Sequence, residues 1–348
     1  MLTFLECQLF WGNVILKIEI MKIFITGATG FIGKQVIRIV SESEHEVVCL
    51  VRKSSMGKEH LRHSKIRIVE GDVRNKQSVL EGMKGCDWVF HIAGHYSFWE
   101  PDDRIYREIN VTGTTNVMEC ALENKVSKVV HVSTILVFGN PLDEPFNEKS
   151  EPGRVRFSTY AQTKFEGDQI VMNFYKHHGL PVVIIYPCSV CGEGDPKPSG
   201  KYVSDLINKR LPATVLHDAT LTFVHVNDVA QGIVRAAQKP DNLGEKYILG
   251  KDAVNFQLLN QWISEISGVS LPKLYMPDAL TMFIAKVFTL LSKLTGESPP
   301  WGMSVDQMKT MREGVKADGS KAERELGFTY TPFRKALEEK IAAEIRNR

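Results

Sequence analysis

Tyr160 and Lys164 stand four residues apart in a stretch with helical patterning, so they share one helix face. A free tyrosine has a pKa of about 10 and is a poor acid–base group at neutral pH. A nearby ammonium favours the phenolate and lowers that pKa, so the pair reads as a proton-transfer device. Upstream, Ser133-Thr134 closes an apolar run, and Thr134 offers a hydroxyl to hold a substrate oxygen. Asn110 is a candidate to position the lysine through water. Taken alone, Tyr-x-x-x-Lys is most often a solvated helix face; the motifs around it argue otherwise.

Nearer the N-terminus runs Thr26-Gly-Ala-Thr-Gly-Phe-Ile-Gly33, after an apolar run at 22–26 and before an amphipathic stretch at 31–42. Glycines in that place permit a tight turn, let backbone approach a pyrophosphate and let helix meet strand closely. The helix start then offers free N–H groups to the anion. Gly27, Gly30 and Gly33, with Thr29, Phe31 and Ile32 between them, therefore form a candidate dinucleotide cradle. Their spacing is Gly-x-x-Gly-x-x-Gly rather than the commoner Gly-x-Gly-x-x-Gly. Three glycines in a merely tight turn is the plain alternative, and the strand-before, helix-after context argues against it.

The end of the second strand reports on the nucleotide. An acid there would accept hydrogen bonds from a ribose 2′-hydroxyl. Here 46–51 ends in Arg52-Lys53-Ser54, and cations suit a 2′-phosphate. This predicts NADP(H) over NAD(H), the alternative being that Arg52 is an exposed strand-end charge. Asp72, followed by Val73, can face the adenine amino group, and Ala93-Gly94 gives close backbone approach. His95 and Tyr96 open an aromatic stretch to Trp99 that can line an apolar or ring-shaped substrate, or pack under the next helix.

These groups need elements to hold them. Apolar runs suited to buried parallel strands fall at 22–26, 46–51, 66–69, 87–92, 128–133 and 182–186. Amphipathic stretches at 31–42, 75–84, 103–124 and 157–178 lie between them. That rhythm predicts an α/β fold, a doubly wound parallel sheet of Rossmann type over 21–187. After Pro187 the pattern breaks up. Residues 188–348 read as a smaller, mixed C-terminal substrate-binding part, with segments around 223–250 returning to the core. The last helix, 331–346, is expected to pack on the surface.

The chain has 348 residues, 43% apolar and 24% charged, with net charge +2. Nothing here points to nucleic acid, which asks for a basic stripe. The six cysteines are too sparse for a disulfide scaffold. Cys49, Cys86 and Cys120 read as buried thiols in a reducing, cytoplasmic setting. Residues 1–20 read as a leader or loose extension, with Met21 a plausible true start. They lack the basic start and small-residue site of a signal peptide. A membrane-surface anchor is the alternative. Residues 279–292 are apolar but carry Lys286 and are too short to cross a bilayer of ~30 Å. They read as a cover for the substrate pocket or a subunit contact, with peripheral membrane association as the further alternative.

The chain resembles the extended short-chain dehydrogenase/reductase family, also described as NAD-dependent epimerase/dehydratase. The resemblance rests on Thr26–Gly33, Gly71-Asp72, His91-Ile-Ala-Gly94, Asn110-Val-Thr-Gly-Thr114, Val132-Ser-Thr134, Tyr160-Ala-Gln-Thr-Lys164, Pro187-Cys-Ser-Val-Cys-Gly192 and Phe223-Val-His-Val-Asn-Asp-Val-Ala230. Within the family it is most similar to the dihydroflavonol-reductase-like branch and its hopanoid-associated sugar-epimerase-like relatives. The resemblance implies a Rossmann fold, a nicotinamide dinucleotide, and Thr134, Tyr160 and Lys164 as catalytic residues. It also implies that Pro187 begins the nicotinamide wall, with Ser189 in the same loop, and that the chain pairs as a homodimer through 103–124 and 157–178.

The family's sugar dehydratases place Asp-Glu after the hydroxyl residue; here Ile135-Leu136 follow, which disfavours dehydration. Arg52 argues against an epimerase with retained NAD. Cys188 and Cys191 have metal spacing, but a structural zinc needs four ligands and no second pair exists. His91 and His95 do not share a helix face, so no metal is expected. Lys197, Lys201 and Arg210 are candidates for an acidic substrate, against a default of scattered surface charge. The leading expectation is an NADPH-dependent reductase of a carbonyl in a small, moderately apolar substrate. The alternatives are a nucleotide-sugar epimerase with retained cofactor and a catalytically silent dinucleotide-binding regulatory protein.

Overall fold

The computed structural model describes residues 20–55 and 58–346. The leader expected at 1–20 lies outside the described residues, save for Ile20. The strands are β1 (Lys22–Thr26), β2 (Glu46–Val51), β3 (Ile66–Glu70), β4 (Trp88–His91), β5 (Lys128–Val132), β6 (Val182–Pro187), β7 (Ser189–Cys191), β8 (Ala213–Val215), β9 (Thr220–His225), β10 (Lys246–Leu249), β11 (Asp252–Asn255) and β12 (Leu274–Met276).

Seven strands form the main sheet in the order β10-β6-β5-β4-β1-β2-β3. Every pairing in it is parallel. The strand order reverses between β1 and β4, and a crevice opens there at the carboxyl edge. The apolar runs read from the sequence become central strands because both faces are covered; β5 and β6 are buried throughout. The covering helices are α1 (Phe31–Ser41), α2 (Lys76–Met83), α3 (Arg104–Arg107), α4 (Thr114–Glu123), α5 (Thr159–His178) and α7 (Val226–Gln238), while α6 (Pro198–Ile207) packs in the C-terminal part. The stretch expected as one helix at 103–124 is interrupted by a π-helical turn at Glu108–Gly113. Such a turn widens the helix and re-aims its side chains, often at a functional site.

The remaining helices are α8 (Phe256–Ser267), α9 (Asp278–Thr295), α10 (Val305–Glu313), α11 (Ser320–Leu326) and α12 (Phe333–Arg346). Strands β11, β9 and β7 make a small mixed sheet, and β12 pairs with β8. A second apolar core gathers Val203, Leu206, Phe223, Phe256, Ile263 and Phe333. The last helix packs on this core as an amphipathic element, one face buried and the other exposed. Phe333, Ala336, Leu337 and Ile341 recur at helical spacing and are all buried. Phe333 stacks on Phe223 with ring centroids 3.9 Å apart. The apolar stretch at 279–292 becomes α9, whose residues are absent from the wall of the main cavity.

Candidate active site

The cavity at the sheet's carboxyl edge has a volume of about 590 Å³, within the usual range for a ligand site. One end is the glycine turn. Gly27 has φ of 78°, and a Cβ there would meet the Ala93 nitrogen at 2.7 Å. A Cβ on Gly33 would meet the Gly27 carbonyl at 2.1 Å. The Gly30 N–H donates to the Gly27 carbonyl at 2.9 Å and closes the turn. No side chain caps α1, whose start faces the cavity. Thr29, Phe31 and Ile32 complete this wall. A side-chain-free cradle with uncapped N–H groups fits a pyrophosphate.

Next to the cradle, Arg52, Ser54 and Ser55 line the cavity after β2. Lys53 does not: it is exposed outside the wall, its carbonyl accepting from Lys58 Nζ. The chain turns at 53–54, which carries Lys53 outward while Arg52, Ser54 and Ser55 face the cavity. Asp72 and Val73 line the same end. The Arg74 guanidinium donates to both Asp72 carboxylate oxygens, at 3.1 and 3.0 Å. Burial pushes the Asp72 carboxyl up, but Arg74 outweighs it and holds it below the usual range. Ala93 passes close to Gly27, and Gly94, Pro187 and Ser189 also line the cavity.

The middle of the cavity holds the groups expected to react, Thr134, Tyr160 and Lys164. Ser158 caps α5, accepting from the Ala161 N–H at 3.2 Å. That fixes Tyr160 in the first turn, buried, with its ring 4.7 Å from that of Tyr96. The Thr159 N–H donates to Asp306 of α10 at 2.9 Å and ties the C-terminal part to the same turn. Lys164, one turn on, is buried and donates to the Val132 carbonyl at 3.0 Å. Thr134 stands at the end of β5, facing Tyr160. The sequence argument expects the lysine to lower the Tyr160 pKa. In the structure burial dominates and raises the phenol, with the Thr134 hydroxyl pulling the other way. The phenol is therefore held protonated, the form a donor requires. Burial also brings the Lys164 ammonium down to about 8, against the pull of Asp168.

Asp168 was not read from the sequence. It lies a further turn along α5, accepting from Ser133 Oγ at 2.9 Å and facing His131 Nε2 at 3.2 Å. Burial raises its carboxyl to about 6, opposed by Lys164, Ser133 and Tyr186. A carboxylate one turn past the lysine was the available signal. Asn110, in the π turn, grips the loop after β4. Its Oδ1 accepts from the His95 N–H at 2.8 Å, and its Nδ2 donates to the His95 carbonyl at 3.2 Å and to Thr163 Oγ1 at 3.1 Å. It contacts neither the cavity nor Lys164 directly.

His95 and Tyr96 both line the cavity. His95 Nε2 faces Glu100 at 2.8 Å. His91 is engaged by hydroxyls, Thr26 at 2.8 Å and Thr114 at 3.1 Å. Cys188 and Cys191 are buried, and burial raises both thiols. Of the three distal cations only Lys197 reaches the cavity, 5.2 Å from the Tyr96 ring centre. Lys201 and Arg210 both pair with Asp205 instead. The outer wall is apolar and went unread in the sequence: Tyr202, Leu221, Phe256, Leu259, Met311 and Phe333.

A phosphate cradle and a tyrosine–lysine pair opening into one cavity define a nicotinamide-dinucleotide enzyme. The model of the NAD dependent epimerase/dehydratase family matches residues 23–250, and the chain belongs to that family. It is an NAD(P)-dependent oxidoreductase/epimerase of the extended short-chain dehydrogenase/reductase type. A Synechocystis sp. protein with the provisional name dihydroflavonol 4-reductase is 30% identical over 91% of this chain and 93% of its own. The crystal structure of gox2253 superposes with a TM-score of 0.78 at 30% identity, covering 93% of this chain and 98% of that one. The UDP-glucuronic acid 4-epimerase from Bacillus cereus, solved with UDP-glucuronic acid and NAD, shares the fold at TM-score 0.76 and 22% identity, over 94% and 100% of the two chains.

Proposed function

We propose that the enzyme reduces a carbonyl in a small, moderately apolar substrate, with NADPH as the preferred cofactor. The observation that carries this reading is the placement of the Tyr160 phenol, buried between Thr134 and Tyr96 in the middle of the cavity, between the glycine turn and the apolar outer wall. When bound, the nicotinamide supplies the hydride. Thr134 holds the substrate oxygen and Tyr160 gives it a proton. Lys164 stabilises the phenolate that results. Asn110 holds the His95 backbone, and His95 and Tyr96 contact the substrate. Arg52, with the Ser54 and Ser55 hydroxyls, suits a 2′-phosphate better than a bare ribose. That a relative spanning nearly the whole chain is named a reductase supports the same direction. The proposal extends to a homodimer formed across α4 and α5, which sedimentation would read.

The test is a titration of purified protein with NADPH and NADH, following nicotinamide fluorescence, after assaying for cofactor already bound. Empty protein that binds NADPH more tightly supports the reductase. Protein that arrives loaded with NAD, or favours NADH, overturns the cofactor reading and points to epimerisation.

A further inference from the structure

Helix α9 carries apolar residues on both its inner and its outer side. Its buried residues are Thr281, Ala285 and Ser292, none of them bulky. Leu280, Phe283, Val287, Leu290, Leu291 and Leu294 are 48%, 62%, 40%, 61%, 50% and 77% exposed. At about 100° per residue, these six fall within an arc of roughly 100°, opposite the three buried residues. Met282, Ile284 and Phe288 pack partly buried on the inner side, so the outer arc is a second apolar face, and a contiguous apolar face of this kind marks a binding surface.

The charges on the helix indicate what covers that face. After Asp278 in the first turn, the only charged residues of α9 are Lys286 and Lys293. Seven residues apart, they lie along the same border of the apolar arc. Lysines there can lay their stems on apolar surface and carry the ammonium to an anionic boundary. A second copy of this chain would bring identical lysines to that border; an anionic headgroup layer would bring their complement. The helix is also held flat. Ala285 belongs to a small core with Val215, Leu216, Met303 and Met308, and Met308 lies on α10. No helix among the described residues is long and apolar enough to cross a membrane. A flat helix with an apolar face, cationic border and buried anchor is the form that lies in a membrane interface.

We propose that α9 docks this protein on an anionic lipid bilayer, with Phe283, Leu290 and Leu294 entering the boundary between headgroups and acyl chains. The bilayer then lies one helix from the cavity, because α10 packs against α9 and contributes Gln307, Thr310 and Met311 to the cavity wall.

The experiment is flotation of the full chain with vesicles of phosphatidylcholine alone and of phosphatidylcholine mixed with phosphatidylglycerol, and needs no catalysis. The wild type is expected to float with the mixed vesicles and to be released by salt. The double variant Leu290→Glu, Leu294→Glu should stay unbound with an unchanged melting temperature, since both side chains already face out. Lys286→Gln and Lys293→Gln should each weaken binding to mixed vesicles roughly fivefold. The proposal is overturned if the wild type ignores both vesicles, binds both equally well, or floats no better than the double variant. It is overturned too if the double variant splits a dimer that never floats, which would make the face a contact between copies.

Discussion

The two ends of the cavity are built differently. The nucleotide end is made by short contiguous segments at the carboxyl ends of β1, β2, β3, β4 and β6, with backbone as the main contact. The other end draws side chains spaced along α6, β9, α8, α10 and α12. The first arrangement leaves little freedom: a Cβ at Gly27 or Gly33 collides with backbone. The second is a wall of apolar surfaces that many side chains of similar volume would complete. At that end Phe223, Phe256 and Phe333 also belong to the second core, so only partly buried residues such as Tyr202 and Met311 are free to change without disturbing the fold.

Removing the proton donor should separate the ends most sharply. Tyr160→Phe keeps the ring against Tyr96 and deletes the hydroxyl. Turnover should fall by roughly 10²- to 10⁴-fold, while NADPH affinity stays the same. Retained turnover would assign the proton to another group. The next largest effect is on pH. Lys164 is brought down to about 8 by burial, so its charge is present below that pH and lost above it. If that charge stabilises the Tyr160 phenolate, kcat/KM for reduction should hold at lower pH and fall by about tenfold per unit above roughly pH 8. Lys164→Met should lack that limb and be slow throughout. A flat profile in the wild type would remove Lys164 from the proton step.

What was legible in the sequence follows the same division. The strands of the main sheet, the glycine turn, Thr134, Tyr160 and Lys164 were readable because each is fixed by its immediate neighbours in sequence. Lys53 was misplaced because strand-end composition does not say which residue of a turn faces inward. The π turn at Glu108–Gly113 has no compositional mark, so the grip of Asn110 on the His95 backbone was invisible. Asp168 went unread because the partners that place it, Ser133 and His131, come from β5. The outer wall was hidden for the same reason: Phe256 and Phe333 meet there from helices distant in sequence. The last helix was legible as amphipathic, but such a pattern tells how much of a helix is buried, not against what.

Cofactor choice tests whether the nucleotide end acts independently. Arg52→Asp exchanges a cation suited to a phosphate for an acceptor suited to a ribose hydroxyl. Loss of a charge-assisted pair should shift preference from NADPH towards NADH by roughly 10- to 100-fold. kcat with saturating cofactor should be unchanged, because Arg52 is remote from Tyr160 along the bound dinucleotide. An unmoved ratio would leave Arg52 as an exposed strand-end charge.

The smallest effect belongs to the substrate end. Met311 lines the cavity from α10 and is only partly buried. Met311→Ala should therefore cost less stability than a truncation in the main core. Lost apolar contact should raise KM for an apolar carbonyl substrate by roughly tenfold, with NADPH affinity and kcat little altered. If kcat falls with it, substrate contacts at that wall also set the geometry at Tyr160. Asp306, which holds the Thr159 N–H from the same helix, would be the route. The two ends would then be mechanically joined through α10 rather than merely adjacent.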